Sequence, residues 1–459
     1  MMEKLVARSL MSVQNRTLAV GLLAGLVSAI ATSPSVQAQV LNDKVNALLS
    51  NNCAQLLQGQ GSGVLGPNLA AACTSNGGAN LTGAGTSAGG GATAVQTTAA
   101  SILNRNILSR LEDVQNEDGS SKKSSSAMAM NPFGLLAPGM IRGVGAQTPV
   151  NPSGDASGTS FAASSQSRMK GFGFFASGLV EALNRDVTTF QDGYQSMILG
   201  ITGGADYRFN RQTVGGIAIS YANTHGDFKG GGDFNTNSIG TTLFGSYLPT
   251  DRTFIQVTGG YSRNNYLVSR AAQAFIQGTT GPSRSLAGTP SSNSNGDVFR
   301  TTLLVGYDHP VGMFTIGPRA GMNYTNTHIS DYAETSGGGL GLKFDDQWVN
   351  SLQSLLGVQA QAAISTGVGV IVPQANADYI HEFANSQRHI GVSFVEDNRA
   401  NPLRFAFQND VPVRNYFNLG TGLLMVLPNG WQPFVNFRAM VGNTQFNNYA
   451  GTFGLRIEL

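Results

Sequence analysis

From residue 170 to its C-terminus the chain repeats one pattern, an apolar side chain at every second position with small or polar residues between. A period of two is the geometry of a strand, whose successive side chains point to opposite faces. Twelve segments carry it, near 170–180, 194–208, 212–226, 235–249, 252–268, 297–310, 312–328, 347–364, 367–383, 412–427, 431–443 and 447–459. In the second, Met197, Leu199, Ile201, Ala205 and Tyr207 share one face and Thr202, Gly204 and Asp206 the other. The sixth sets Phe299, Leu303, Val305 and Tyr307 against Arg300, Thr302 and Asp308. The last sets Tyr449, Phe453, Leu455, Ile457 and Leu459 against Thr452, Gly454, Arg456 and Glu458. So many segments in one alternating register predict an all-β chain from residue 170 onward.

The connections decide between a soluble sandwich and a membrane barrel. Short turns at 209–211, 250–251, 311, 365–366 and 429–430 alternate with long loops at 181–193, 227–234, 269–296, 329–346 and 384–411. Tight turns on one rim and long loops on the other are the pattern of an outer-membrane barrel, so residues 170–459 are expected to form a 12-stranded antiparallel transmembrane β-barrel. Tyr207, Tyr247, Tyr307 and Trp431 fall near the short-turn ends, where an interfacial aromatic girdle belongs. Composition agrees: charged residues are only 12% of the chain, and Gly contributes 59 residues. The inward-reading charges Arg300, Arg319, Arg438, Arg456 and Glu458 must be solvated or paired inside the barrel, against water, one another or the chain passing through. The net charge of +2 gives no basic field for nucleic acid.

Upstream the character changes three times. Residues 1–38 read as a secretory signal peptide, with a basic start, an apolar run at 18–30 and Val36-Gln37-Ala38 as the small-x-small cleavage pattern. Residues 39–118 are expected to be a short exported segment with two amphipathic helices, the second over 93–118, joined by a Gly/Ala/Ser/Thr linker at 74–93. Cys53 and Cys73, the only cysteines, would in an oxidising compartment most simply form one disulfide, worth about 3 kcal/mol by loop-closure entropy; two free thiols are the alternative. Residues 119–169, rich in Ser, Gly and Pro, read as a flexible tether.

No residue set announces chemistry. The five histidines, His225, His309, His328, His381 and His389, are scattered without metal-ligand spacing. Asp345-Asp346 and Glu396-Asp397 could pair for hydrolysis or Ca²⁺ binding, but solvated loop carboxylates are far commoner. Residues 39–118 contain no His and no nucleophile elbow, so neither enzyme activity nor a cofactor is expected.

Leu199–Phe209 (LGITGGADYRF), Val214–Gly230, Ile239–Arg263 and the end from Phe417 through Leu427-Pro428-Asn429-Gly430-Trp431 to Leu459 together resemble the C-terminal barrel of the autotransporter, or type V secretion, family. The resemblance covers roughly 165–459 and implies a 12-stranded outer-membrane barrel that displays an N-terminal passenger. It implies as partners the Sec translocon, outer-membrane lipid and the barrel assembly machinery, which reads the final strand; a monomeric barrel is expected. The chain ends in Leu459 where the family usually ends in an aromatic, and its passenger is far shorter than the usual long solenoid. The leading expectation is a barrel that anchors and surface-exposes its own short passenger. The rivals are a pore with an N-terminal plug and a hydrolase with its site on the barrel rim. If alternation reports lipid contact, Arg at Leu455 should block assembly, whereas Arg at Gly454 should be better tolerated.

Overall fold

The computed structural model describes residues 79–80 and 172–458, apart from 189, 192, 211, 251 and 277–283. The leader, Cys53 and Cys73, both expected helices, the 119–169 tether, Leu459 and the Glu458 side chain lie outside these residues.

Twelve long strands alternate in direction. They are β1 (Phe172–Arg185), β2 (Tyr194–Arg208), β3 (Thr213–Phe228), β4 (Gly232–Tyr247), β5 (Thr253–Arg270), β6 (Ser291–Tyr307), β7 (Phe314–Ile329), β8 (Gln347–Ala362), β9 (Gly369–Glu382), β10 (Asn415–Val426), β11 (Trp431–Val441) and β12 (Phe446–Glu458). Each pairs antiparallel with its sequence neighbour. β12 also pairs with β1, Glu458 opposite Gly173 and Phe446 opposite Arg185, and the sheet closes. Closure leaves the barrel wall without an open edge, the condition for crossing hydrocarbon with strands. The expected segments are these strands with their ends displaced. β1 continues to Arg185, so the first long connection is shorter than 181–193. The turn expected at Val311 lies at Gly312-Met313, because Val311 pairs with Phe314 and Gly312 takes a positive φ of 62°. Ser365 and Thr366 pair with Val370 and Gly369, which moves that turn to Gly367-Val368.

The two faces of the wall differ as the alternation requires. Outward side chains stay exposed although apolar, with Ile201 at 65%, Leu243 at 62% and Val435 at 54%. A soluble protein does not expose an unbroken apolar belt of this size. The belt is bounded below by Tyr207, Tyr247, Tyr307 and Trp431, all outward and exposed. Its upper bound, which the sequence reading missed, is a second set of outward tyrosines: Tyr221, Tyr261, Tyr324, Tyr379 and Tyr449. From Tyr247 to Ile239, the partner of Tyr221, β4 climbs about 20 Å at the usual rise and barrel tilt, close to an outer-membrane apolar band.

Inside, bulky rings lie over glycines of the adjacent strand. Phe175 faces Gly204, Phe244 faces Gly216, Phe254 faces Gly306 and Phe434 faces Gly454, each directly opposite in register. A Cβ at Gly454 would run into the Phe434 ring and lie 2.7 Å from the Ala176 carbonyl oxygen. Gly454 therefore faces the lumen, but any side chain there forces the Phe434 ring or the Ala176 backbone to shift, a cost that the alternation alone does not show. Gly306 is the tighter case, since a Cβ there meets three atoms of the Phe254 ring. Gly306→Leu should lower the unfolding midpoint through overpacking worth about 1–3 kcal/mol, and adding Phe254→Ala should recover part of that loss. Simply additive losses in a double-mutant cycle would contradict the ring-over-glycine contact.

The long loops are not bare. Ala272–Ile276 and Arg284–Gly288 form a hairpin beyond β5, and Ala79–Asn80 adds a third strand to it, Ala79 opposite Ile276 and Asn80 opposite Phe275. That pair falls in the stretch expected to be a linker, where backbone pairing needs no side-chain burial. Tyr332–Ala333, Leu342–Phe344, His389–Phe394 and Arg404–Gln408 form a second small sheet from two different loops. Leu342, Phe344, Ile390, Val392, Phe394 and Phe407 are its buried apolar side chains.

Candidate functional site

The barrel lumen gathers the charges that alternation assigns inward. Arg319 on β7 makes two hydrogen bonds to Asp378 on β9, Nε to Oδ1 at 2.8 Å and Nη2 to Oδ2 at 2.6 Å, with both side chains essentially inaccessible. These residues are separated by β8, where Gly357 stands opposite both Arg319 and Asp378. A Cβ on Gly357 would collide with the Asp378 carboxylate, so the missing side chain is what lets the ion pair close across the strand. Gln374 and Asn436 use the same device over Gly422, joined by a 3.1 Å hydrogen bond.

Nearer the long loops, Arg438 donates to Asn448 at 2.6 Å, Asn448 donates to Glu181, and Arg438 lies 3.8 Å from the same carboxylate. Arg300 donates to Asn323 at 2.7 Å, and Gln353 links to Glu382 at 3.0 Å and to the Tyr416 hydroxyl at 3.3 Å. Arg456, fully buried, donates to Gln432 at 3.1 Å. The structure thus places Arg300, Arg319, Arg438 and Arg456 on the inner wall and supplies partners that the sequence reading did not name: Asp378, Glu181, Asn323 and Gln432. Their parity in the alternation was a usable signal for facing inward. Nothing in their spacing signalled which pairs meet.

These groups border a chamber of about 420 Å³, lined among others by Glu181, Arg300, Gln353, Glu382, Tyr416 and Arg438. Toward the short-turn rim the lumen changes character, because Phe175, Phe244, Phe254 and Leu304 pack into one buried apolar cluster. At the outer mouth Asp410, from the loop between β9 and β10, accepts from Arg185 and from the Thr188 hydroxyl at 2.7 Å each, tying that loop to the top of β1.

No histidine lines the chamber. His328 instead stacks on Trp348 on the outer wall, ring centroids 4.2 Å apart, and His381 contacts Asn415 there. Two of the four loop carboxylates are taken up by arginines, Asp345 by Arg404 and Asp397 by Arg399. Burial pushes the Asp397 carboxyl up, but hydrogen bonds from the Arg399 side chain and from the Leu403 and Arg399 amides outweigh it and hold the group below the usual carboxylate range. Among the described residues no group of three or more His, Cys, Asp or Glu could hold a metal ion. The described lumen thus combines a polar chamber toward the long loops, an Arg319–Asp378 pair, and Arg300 and Arg456 bonded to neutral amides, with an apolar cluster toward the short-turn rim.

The family model for the autotransporter beta-domain matches residues 174–438, more than half of the chain. The chain belongs to the autotransporter family. No curated protein matches it. Among solved structures, the translocator domain of the autotransporter NalP from Neisseria meningitidis is 14% identical, over 64% of this chain and 90% of that one, with a TM-score of 0.49. The beta domain of the Bordetella autotransporter BrkA is 15% identical, over 63% of this chain and 100% of that one, with a TM-score of 0.45. The transport unit of the autotransporter AIDA-I from Escherichia coli is 13% identical, over 64% and 92%, with a TM-score of 0.38. Family and fold together make this molecule an outer-membrane autotransporter barrel, with its apolar belt in lipid.

Proposed function

We propose that this autotransporter barrel anchors and surface-exposes its own short N-terminal segment, residues 39–118, and acts as conduit and anchor rather than as a catalyst. In this reading the leader 1–38 directs export through the Sec translocon and is removed, and Cys53 and Cys73 bond. The tether 119–169 runs through the lumen against the polar wall that carries Arg300, Arg319, Arg438 and Arg456. The barrel assembly machinery reads the strand carrying Tyr449, Phe453, Leu455 and Ile457, with Glu458 and Leu459 at its end, and the barrel inserts as a monomer.

The observation that carries the reading is the pairing of Ala79–Asn80 with the hairpin 272–288, which belongs to a loop on the long-loop rim. Long loops of outer-membrane barrels face outward, so this contact favours an N-terminal segment that ends up outside. An epitope inserted before Asn80 in the full-length protein should be labelled by antibody on intact cells. A tag that is labelled only after the outer membrane is permeabilised would overturn the proposal. Non-reducing electrophoresis of the same cells should show a faster-migrating species that reductant abolishes, as a Cys53–Cys73 bond requires.

A further inference from the structure

Above the upper tyrosines, successive hairpins repeat one arrangement on the outer wall. On β3 and β4, the Tyr221 hydroxyl donates to Asn237 at 2.9 Å, and Asn223 donates to Asn235 at 2.9 Å and to Asn237 at 3.0 Å. On β5 and β6, Tyr261 donates to Asp297 at 2.6 Å, and Asn265 donates to Asn293 at 2.7 Å and to Asn295 at 3.1 Å. On β7 and β8, Tyr324 donates to Asn350 at 3.0 Å and Asn326 to the same oxygen at 2.7 Å. On β9 and β10, Tyr379 donates to Asn415 at 2.7 Å. On these four of the six long-loop hairpins a tyrosine thus marks the edge of the belt, its hydroxyl held by a polar side chain of the next strand, and on three of the four a further asparagine stands above.

The height and chemistry of this ring narrow what it can meet. It begins where the apolar belt ends, so it stands in the headgroup layer of the outer leaflet, continuous with the lipid contact below. At this level Arg263 is bound by Asp297 at 2.7 Å, and the asparagines share the outer wall with the exposed side chains of His225, Asp227 and Asp233, so no unpaired arginine or lysine stands among the described side chains named in these hairpins. In the cross-strand pairs Asn235, Asn293 and Asn350 accept through their carbonyl oxygens, and each of these amides also carries an Nδ2 donor. Trp348, 57% exposed beside Asn350 on the same face and stacked on His328 on one side, adds an aromatic surface through its other side. Neutral donors and acceptors beside an exposed indole suit sugar hydroxyls and the apolar face of a sugar ring. Phosphate recognition would call for arginine and lysine.

We propose that this amide ring is a docking surface for the sugar headgroups of outer-leaflet glycolipid, read through hydroxyls rather than through phosphate charge. It rests on the barrel's place in the outer membrane and is independent of whether residues 39–118 are exported. The test reconstitutes the full-length protein in phosphatidylcholine vesicles, alone, with digalactosyl diacylglycerol, or with phosphatidylglycerol at the same mole fraction. The readout is the temperature at which the heat-modifiable folded band is lost. Digalactosyl diacylglycerol should raise that temperature by about 2–4 °C. Phosphatidylglycerol should not, and the combined Asn235→Ala, Asn293→Ala and Asn350→Ala variant should lose the rise while keeping its folded band in phosphatidylcholine. No rise with the glycolipid, an equal rise with phosphatidylglycerol, or an undiminished rise in the variant would overturn the proposal. If the triple variant does not fold, Trp431→Phe leaves Trp348 as the only tryptophan. Its emission should then move to shorter wavelength when the glycolipid is added, and an unchanged spectrum would overturn the proposal equally.

Discussion

Replacing Asp378 with Ala is expected to destabilise the barrel by about 3–5 kcal/mol, the usual cost of leaving one partner of a buried ion pair without the other. The Arg319 guanidinium sits at 0% side-chain exposure and its carboxylate at 1%. Gly357 between them offers no side chain in exchange, and Gln359 accepts from the Arg319 Nη1 at 3.4 Å. Unfolding in urea, followed by loss of the heat-modifiable band, should show the midpoint fall sharply for Asp378→Ala. The double variant Arg319→Met/Asp378→Leu should recover much of the loss, because no charge is left buried. A change below about 1 kcal/mol in the single variant would mean that the pair is solvated like a surface bridge.

Lipid explains why so much of the barrel was legible in the sequence. A one-residue slip would move Leu243 from hydrocarbon into the lumen and Thr242 out, so the alternation cannot drift without cost, and it can be read directly. The errors fall where lipid exerts no such pressure. Val311 and Thr366 extend their hairpins by a residue or two beyond the belt, where either face meets water. The small sheet of Tyr332–Ala333, Leu342–Phe344, His389–Phe394 and Arg404–Gln408 was invisible because its strands are short and come from loops far apart in sequence. Arg319 was legible as inward, but its partner lies two strands away, and only the coordinates reveal that Gly357 opens the way.

Gly454 teaches the reverse lesson. The alternation gives its face, but not the Phe434 ring that already occupies the space over it. The upper tyrosine and asparagine ring did leave a signature, Tyr-x-Asn at 221–223 and 324–326 and Asn-x-Asn at 235–237 and 293–295, at matching ends of successive strands. Only the cross-strand hydrogen bonds give those dipeptide spacings a meaning.

The outward face should reject charge and the chamber should accept it. Val435 and Met440 share β11: Val435 points outward at mid-belt and is 54% exposed, whereas Met440 lines the chamber. Arg at Val435 would put a guanidinium in hydrocarbon at a cost of about 2–4 kcal/mol near the midplane, and Leu455→Arg, closer to the short-turn rim, should act in the same direction by less. Arg at Met440 can reach water and the Glu382 side of the chamber, with space that Gly454 lacks. The decisive measurement is the heat-modifiable folded band of Val435→Arg and Met440→Arg, compared in outer-membrane fractions of cells making each variant at equal levels. Loss of the band for Val435→Arg with most of it kept for Met440→Arg is the predicted result; equal assembly of the two, or the reverse order, would contradict a lipid-facing outer wall and with it the outer-membrane barrel.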